Sequence, residues 1–536
     1  MTGRRLRTAA IAAAALVVAA GAAAPAQARP AGAARDSRPN VLVVMTDDQA
    51  LTDLKSMPNV QRLLVRQGTR FTDAITSFPL CCPSRASFLT GQYAHNHGVS
   101  GNFAPSGYYG LTHKENTLPR WLQRAGYHTA LVGKYLNGYG ARNPREIPPG
   151  YSEWHGALDL SSYDYFNFTL NENGKLHTWG DPGYAQSLIK LAQVVEHQQI
   201  NSILDFVKTL ASIFTPGNFG TKRAADYSND VTAGITNQIL RRQAKSAKPF
   251  FVWWAPAAPH REDVNSQRGA QWADPRPAPR HEHLMSRYPL PRTAAFNEAD
   301  VSDKPRRMRD IPPLDAAGIA RLERNHAGRL AALQSVDEGV ARLVATLKRT
   351  GQYDNTVILF VSDNGWVEGQ HRIPGDKFVP YEESVHVPLV MVGPGIPANR
   401  AVRAQVAANV DLTPTVLALA KGRAGRTQDG LSLLPFISRP SAAPERTLPV
   451  EATGKLFAAE GFPQQWDQAY SGLRSKQWKY IRWSYGDREL YDLKKDPAEM
   501  TNLANDPRYA ATVAKLERTR AALARCRGRA CDAVRG

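Results

Sequence analysis

The chain has little sulfur: four cysteines and seven methionines in 536 residues. So few cysteines exclude a small scaffold built on disulfides. Acidic residues are also in deficit, 48 Asp and Glu against 67 Lys and Arg, a formal net charge of +19. Such a surface favours polyanions: nucleic acid, an anionic envelope, or a sulfated or phosphorylated substrate. A nucleic-acid groove is not indicated, because the arginines are scattered and no basic block is interleaved with aromatics. A solvated basic face accounts for the charge as well as an anionic partner does. Long apolar runs are missing except at the N-terminus, and there is no internal repeat. With 43% hydrophobic and 21% charged residues the composition is globular, and the length suits one large α/β domain with a smaller companion.

The N-terminal run identifies itself. Arg4, Arg5 and Arg7 precede "TAAIAAAALVVAAGAAA", and "AQA" ends at Ala28. A basic start, an apolar middle and a small-x-small end describe a secretory signal peptide over 1–28. The alternative, an uncleaved anchor, fits less well because the run is short and Ala-rich for a span. The expectation is a secreted, extracellular protein with no stable membrane insertion after cleavage. The arginine pair leaves the general and twin-arginine export routes both open. Residues 29–39, "RPAGAARDSRP", read as a flexible leader.

Four later segments share one design. "NVLVVMTDDQ" stops at Asp47 and Asp48, "HTALVGK" at Lys134, "PFFVWWAPAAPH" at His260, and "TVILFVSDN" at Asp363 and Asn364. Continuous apolar runs of strand length belong in a sheet buried on both faces, and ligands gather where the carboxyl ends of such strands emerge. Four endings of this chemistry point to one common site. A helix is expected over roughly 315–350, where Leu330, Leu333, Val340, Leu343 and Leu347 recur at helical spacing before Gly351. Another is expected near 184–213, within a loop-rich stretch at 150–240. Residues 262–313 are Pro-rich and charged, and are expected to cover or line the site. After about 445 the texture changes. "GLRSKQWKYIRW", a "YGDR" turn and "ELYDL" predict an antiparallel hairpin, followed by a terminal helix. The expected organisation is a catalytic domain at 40–445 and a small α+β domain at 446–536.

Four cysteines allow three pairings. Cys526 and Cys531 flank a short Gly-containing loop and suit one another. That leaves Cys81 and Cys82, in "SFPLCCPSRASFLTG". A vicinal disulfide is strained, and a buried pair is not expected beside Pro83, Ser84 and Arg85. Pro83 fits a first helical turn, which puts the cysteines at a helix N-terminus, a place that attracts anions and lowers a thiol's pKa. Arg85 adds a fixed cation. Asp47, Asp48, Asp363 and Asn364 offer hard oxygen ligands, suited to Ca2+ or Mg2+ rather than zinc. An isolated Asp-Asp is usually a solvated turn; these pairs gain weight by terminating two apolar strands.

"CCPSRASFLTG" resembles the signature of the sulfatase family, Cys-x-Pro-Ser-Arg followed by Leu-Thr-Gly, in which that cysteine is oxidised to formylglycine. The likeness continues through "RPNVLVVMTDDQ", "GKYLNGYG", "APHR", "SDNG", Lys377 before "YEE", and "ELYDLKKDPAEMTNLA". "CCPSR", "YAHNHGV" and "GKYLN" are most similar to the branch of N-acetylglucosamine-6-sulfatases and heparan 6-O-endosulfatases. The resemblance implies a large, mostly parallel α/β/α sandwich like that of alkaline phosphatases, with a small C-terminal α+β domain containing an antiparallel sheet. It implies that a formylglycine-generating enzyme converts Cys81, and that one Ca2+ is held by Asp47, Asp48, Asp363, Asn364 and residue 81. Arg85 would then hold the formylglycine hydrate, and Lys134, His260 and Lys377 the sulfate. One hydroxyl of the hydrate would attack sulfur, His260 or Lys377 would help the alcohol leave, and the second hydroxyl would expel sulfate.

One departure matters. Many members read Gly-Lys-Trp-His where this chain reads Gly133-Lys134-Tyr135-Leu136. The histidine often assigned to sulfate elimination is therefore missing, and His371 and Asn137 are the substitutes considered. His95 and His97 tempt a nuclease reading but fit packing or support of the signature helix better. The expected function is hydrolysis of a sulfate ester, a sulfated carbohydrate such as N-acetylglucosamine 6-sulfate before an aryl sulfate. The alternatives are a phosphonate or phosphate ester hydrolase and a noncatalytic protein that holds sulfated glycans.

Overall fold

The run at Asn40–Thr46 (β1) has no exposed face; every residue in it is buried. Its side chains alternate between two cores, with Val41, Val43 and Met45 in one and Leu42 and Val44 in the other. A strand with a core on each side belongs in the middle of a three-layer fold. The computed structural model that shows this describes residues 36–159, 161–180, 224–262, 274–439, 445–452, 455–456, 466–467 and 469–533. The expected signal peptide and the helix expected near 184–213 lie outside the described residues.

The large sheet adds Thr69–Phe71 (β2), His128–Lys134 (β3), Glu153–Ala157 (β4), Phe168–Glu172 (β5) and Lys175–Trp179 (β6). Phe250–Ala255 (β7), Thr356–Ser362 (β8), Leu389–Val392 (β9) and Arg400–Val402 (β10) complete it. The spatial order is β10-β2-β9-β8-β1-β7-β3-β4-β5-β6. Pairing is parallel across the centre, from β8 through β1, β7 and β3 to β4. Toward the edges, β9 is antiparallel to β8 and β2, and β5 and β6 are antiparallel to their neighbours. The sheet expected to be mostly parallel is thus parallel at its core and mixed overall. One physical reason is visible at Asn173-Gly174, which joins β5 to β6 with φ of 54° and 90°. A two-residue turn of that kind forces a hairpin and leaves no room for a crossover helix.

Cys81–Thr90 (α1), Leu118–Arg124 (α2), Ser228–Gln243 (α3), Ala316–Arg349 (α4) and Leu412–Ala420 (α5) cover the sheet. α1, α2 and α5 pack with Val41 and Val43, whereas α3 and α4 pack with Leu42 and Val44. Asp315 caps α4 by accepting from the Gly318 N–H, and Gly351, at φ 65°, follows its end as its position predicts. The described part of 262–313 lies along α4 and against 369–372. Arg280 pairs with Asp230 and Glu338, and Phe296 bridges to Gln370.

Leu448–Ala452 (β11), Tyr470–Arg474 (β12), Trp478–Trp483 (β13) and Arg488–Asp492 (β14) form a separate antiparallel sheet; β12 to β14 fall where the sequence predicts a hairpin, and β11 adds a further strand beside β12. Val513, Leu516 and Leu523 of Ala510–Leu523 (α6) pack on it, together with Ile75, Phe78 and Tyr381 from the large sheet's side. Cys526 and Cys531 form the expected disulfide. At the other end, Asp36 N donates to the Ala247 carbonyl at 3.2 Å and Arg38 Nη1 to that of Ala420 at 3.0 Å, so the chain is anchored just before β1. Among the described residues no helix is long and apolar enough to cross a membrane.

Candidate active site

Because β8, β1, β7 and β3 are adjacent and parallel, their carboxyl ends emerge on one edge of the sheet. That edge gathers Asp363 and Asn364, Asp47 and Asp48, His260, and Lys134. The first turn of α1 adds Cys81 and Arg85, and the loop after β8 adds Lys377. Gly133 is required where β3 ends, since at φ 105° a Cβ would stand 2.1 Å from the Ala255 carbonyl oxygen.

The contacts are tight. Cys81 Sγ is 3.6 Å from Asp47 Oδ1, 3.9 Å from Asp48 Oδ1 and 2.9 Å from Lys377 Nζ. Lys134 contacts Asp47 Oδ2, and Lys377 contacts Asp48 Oδ1. Arg85 Nε donates to Asp363 Oδ2 at 2.8 Å and its Nη1 to the Lys134 carbonyl at 2.9 Å, while Nη2 faces Asp47 Oδ2 at 3.4 Å. His260 Nε2 lies 3.5 Å from Asp48 Oδ2, and its Nδ1 lies 2.6 Å from the Arg261 carbonyl oxygen. That carbonyl can only accept, so Nδ1 carries a proton.

Charge explains the protonation states. Burial opposes ionisation of Asp48, but Lys377, His260 and Lys134 outweigh it and hold the carboxyl below its ordinary range. Burial likewise opposes the charged form of Lys377, and Asp48 reverses the balance and raises it. Burial, aided by Lys377 and Lys134, holds His260 well below the usual imidazole value. Burial and the neighbouring Asp47 push Asp363 up.

The oxygens fit a hard divalent cation. Asn364 Nδ2 donates to Asp48 Oδ1 at 2.7 Å, which leaves Asn364 Oδ1 buried with no hydrogen-bond partner among the described residues. The ligand atoms of Asp47, Asp48, Cys81 and His260 all lie within 4.8 Å of one another. A buried amide oxygen left without a donor is costly unless something positive meets it.

Two expectations about the cysteines need correction. Cys81 and Cys82 are both free and both fully buried, because α1 is covered all round: each of the residues in Cys81–Thr90 is buried. The thiol of Cys81 is not acidified by its helix N-terminus; burial pushes it up to about 12, against the pull of Lys134 and Lys377. The Cys82 N–H is met by Asn102 Oδ1 at 3.0 Å.

The two substitutes for the missing histidine part company. His371 lies apart from the cluster: its Nδ1 is 2.6 Å from Glu298 Oε2, its ring packs on Tyr381, and Glu383 and Glu499 are its other polar neighbours. Asn137 is close by, and donates to the hydroxyl of Tyr163. Tyr135 and Leu136 are buried in the apolar core. His97 pairs with Ser87 Oγ at 3.1 Å and His95 with Glu451 at 2.8 Å, both away from the cluster.

Sequence reasoning missed Tyr163. Its ring stacks on His260 at 4.2 Å between centroids, and Lys134 Nζ stands 4.3 Å from the ring centre. "SSYDYFNF" offers several aromatics and no signal that singles out this one.

Fold and site together define a member of the alkaline phosphatase superfamily. Within it the chain belongs to the sulfatase family: residues 39–422 match the family Sulfatase, and 369–525 match the domain N-sulphoglucosamine sulphohydrolase, C-terminal. It is a sulfuric ester hydrolase. N-acetylglucosamine-6-sulfatase of Homo sapiens is 31% identical over 88% of this chain and 82% of its own length. The extracellular sulfatase SULF-1 homolog of Drosophila melanogaster is 32% identical over 81% of this chain, which spans 34% of that protein. A solved structure of a protein in complex with its substrate D-glucosamine-2-N,6-O-disulfate shares the fold, with TM-score 0.68 and 22% identity over 90% of this chain and 96% of the other.

Proposed function

We propose that this sulfatase is exported and acts on a sulfated carbohydrate, an N-acetylglucosamine 6-sulfate ester above others, using formylglycine at position 81 and one Ca2+. The observation that carries the reading is the charge arrangement around Cys81. Asp47, Asp48 and Asp363 are matched by Arg85, Lys134 and Lys377 in one buried cluster. Matched charges leave the cluster near neutrality, so a divalent cation makes it doubly positive, complementary to a sulfuryl group. The sugar assignment is supported by the human relative and by the disulfated glucosamine of the structural neighbour.

Formylglycine, as its hydrate, supplies a hydroxyl nucleophile for sulfur, and Ca2+ on Asp47, Asp48, Asp363 and Asn364 supplies positive charge to a sulfuryl oxygen. The side chains do the rest. Lys134 and Lys377 stay protonated and hold sulfate oxygens by charge-assisted hydrogen bonds. Arg85 Nη2, buried without a hydrogen-bond partner among the described residues, faces Asp47 Oδ2 at 3.4 Å and is the donor we assign to the hydrate at residue 81. His260 keeps its Nδ1 proton on the Arg261 carbonyl and is held neutral, so its Nε2 is an acceptor, and the protonated Lys377 is the group that passes a proton to the leaving alcohol.

The test begins with the mass of the tryptic peptide ending at Arg85, from protein secreted by its native host, reduced and alkylated. Formylglycine at 81 beside one alkylated cysteine at 82 is expected; two alkylated cysteines would overturn the modification. Turnover of N-acetylglucosamine 6-sulfate and of matched aryl sulfate and aryl phosphate then decides the substrate. Faster phosphate cleavage would move the chain to the phosphate or phosphonate hydrolases. An N-terminus beginning after Ala28 in the medium tests export.

A further inference from the structure

Arg329 lies midway along α4, in line with Leu322, His326, Leu333 and Val336, on the buried face of the helix. Its side chain is fully buried and reaches three separate loops. Nη2 donates to the Asp48 carbonyl at 2.6 Å and to Asp53 Oδ2 at 3.1 Å, after β1. Nη1 donates to the Pro259 carbonyl at 3.4 Å, after β7. Nε lies 3.2 Å from Glu368 Oε1, after β8. Those loops carry Asp47 and Asp48, His260, and Asp363 and Asn364. The partners are themselves fixed: His326 Nδ1 is 2.9 Å from Glu368 Oε2, and Asp53 Oδ2 also accepts from the Ala50 N–H at 3.1 Å.

Asp48 makes the restraint consequential. It sits at φ 65°, in the left-handed region that a residue with a Cβ adopts only when its surroundings over-determine it. The short bond from Arg329 to its carbonyl is such a restraint. A lysine could supply the charge but not the planar fork that serves several acceptors at fixed angles.

We infer that Arg329 is a positioning residue of the active site: from behind, one guanidinium sets the relative placement of the three strand-end loops and holds Asp48 in its left-handed conformation. The inference rests on the proposed metal role of Asp47, Asp48, Asp363 and Asn364. It extends that role to a residue bonded to the site's backbone rather than to its ligand atoms.

The experiment compares wild type, Arg329→Lys and Arg329→Met by calorimetric Ca2+ titration of chelator-stripped folded protein, by amide hydrogen exchange and by steady-state kinetics. Both variants should bind Ca2+ about 10-fold more weakly or worse and lose about 100-fold in kcat/KM, as loss of a ligand's supporting partner does. Amides of 47–53, 258–262 and 363–368 should exchange faster while those of 470–492 keep their wild-type rates. Wild-type Ca2+ affinity and kcat/KM in Arg329→Met would overturn the inference. So would faster exchange spread evenly over the chain, the mark of a merely structural loss. If the wild type binds no Ca2+, the metal reading fails, and the exchange pattern with kcat/KM still judges Arg329. If Arg329→Met does not fold, Arg329→Lys, which keeps the buried charge, decides by the same readouts.

Discussion

Arg85 Nε donates to Asp363 Oδ2 at 2.8 Å, and neither side chain has any exposed surface. The pair joins the first turn of α1 to the end of β8, two elements nearly 280 residues apart in sequence. Removing one partner of a buried pair strands the other charge and costs about 3–5 kcal/mol. Chemical denaturation of Arg85→Met should show a loss of that size, with Asp363→Asn similar. The double variant should lose clearly less than the two single losses added together. Strict additivity would mean that the two charges do not depend on each other.

Cys81 should be chemically quiet wherever it has not been converted. Burial raises its pKa to about 12, so the reactive thiolate appears only as pH approaches that value. At pH 8 such a thiol is ~0.01% ionised. Iodoacetamide should leave native Cys81 unlabelled at pH 8 and label it on unfolding. Rapid labelling of the folded protein at that pH would show the thiol to be ionised or exposed. Cys81→Ala should fold normally and lose at least about 1,000-fold in activity, because the precursor of the nucleophile is gone.

Ca2+ should stabilise the folded chain. Asp47, Asp48 and Asp363 exist as a cluster only in the native fold, so a cation bound there favours that state by about 2.7 kcal/mol at 100 times its Kd. Thermal unfolding after chelation should begin at lower temperature and recover when CaCl2 is restored. A midpoint independent of Ca2+ up to millimolar concentrations would remove the ion from this site.

Tyr163 should act through its ring. A desolvated cation–π contact contributes up to about 2 kcal/mol, so Tyr163→Ala, which frees both Lys134 and His260, should raise KM by as much as about 30-fold. Tyr163→Phe keeps the ring and should stay within a few-fold of wild type. Equal losses in the two variants would assign the role to the hydroxyl and its bond from Asn137 instead.

The strand-end residues were legible because a buried parallel strand writes itself as an uninterrupted apolar run, and the residue that follows must stand at the sheet's edge. Asp47, Asp48, Lys134, His260, Asp363 and Asn364 were all found this way, and the structure gathers them. Cys81 and Arg85 were legible through the proline in the first turn of their helix and the family signature. His371 was not: "GQHR" gives no hint that its loop turns toward Glu298 and Tyr381. Arg329 left one readable trace, a charge standing on the apolar stripe of a long helix, where an unpaired cation is too costly to bury.

By itself, then, the sequence determined the central strands, the long helix over roughly 315–350 with its stop at Gly351, the C-terminal hairpin and the chemistry at each strand end. These depend on local periodicity and on what a backbone can do next, which neighbouring residues specify. Tertiary structure alone decided that both adjacent cysteines are buried, that Tyr163 rather than Tyr135 meets Lys134, and that one guanidinium on α4 ties three loops together. Each of these is a contact between segments far apart in the chain, set by how two layers pack on a sheet, and no periodicity within either segment encodes its partner.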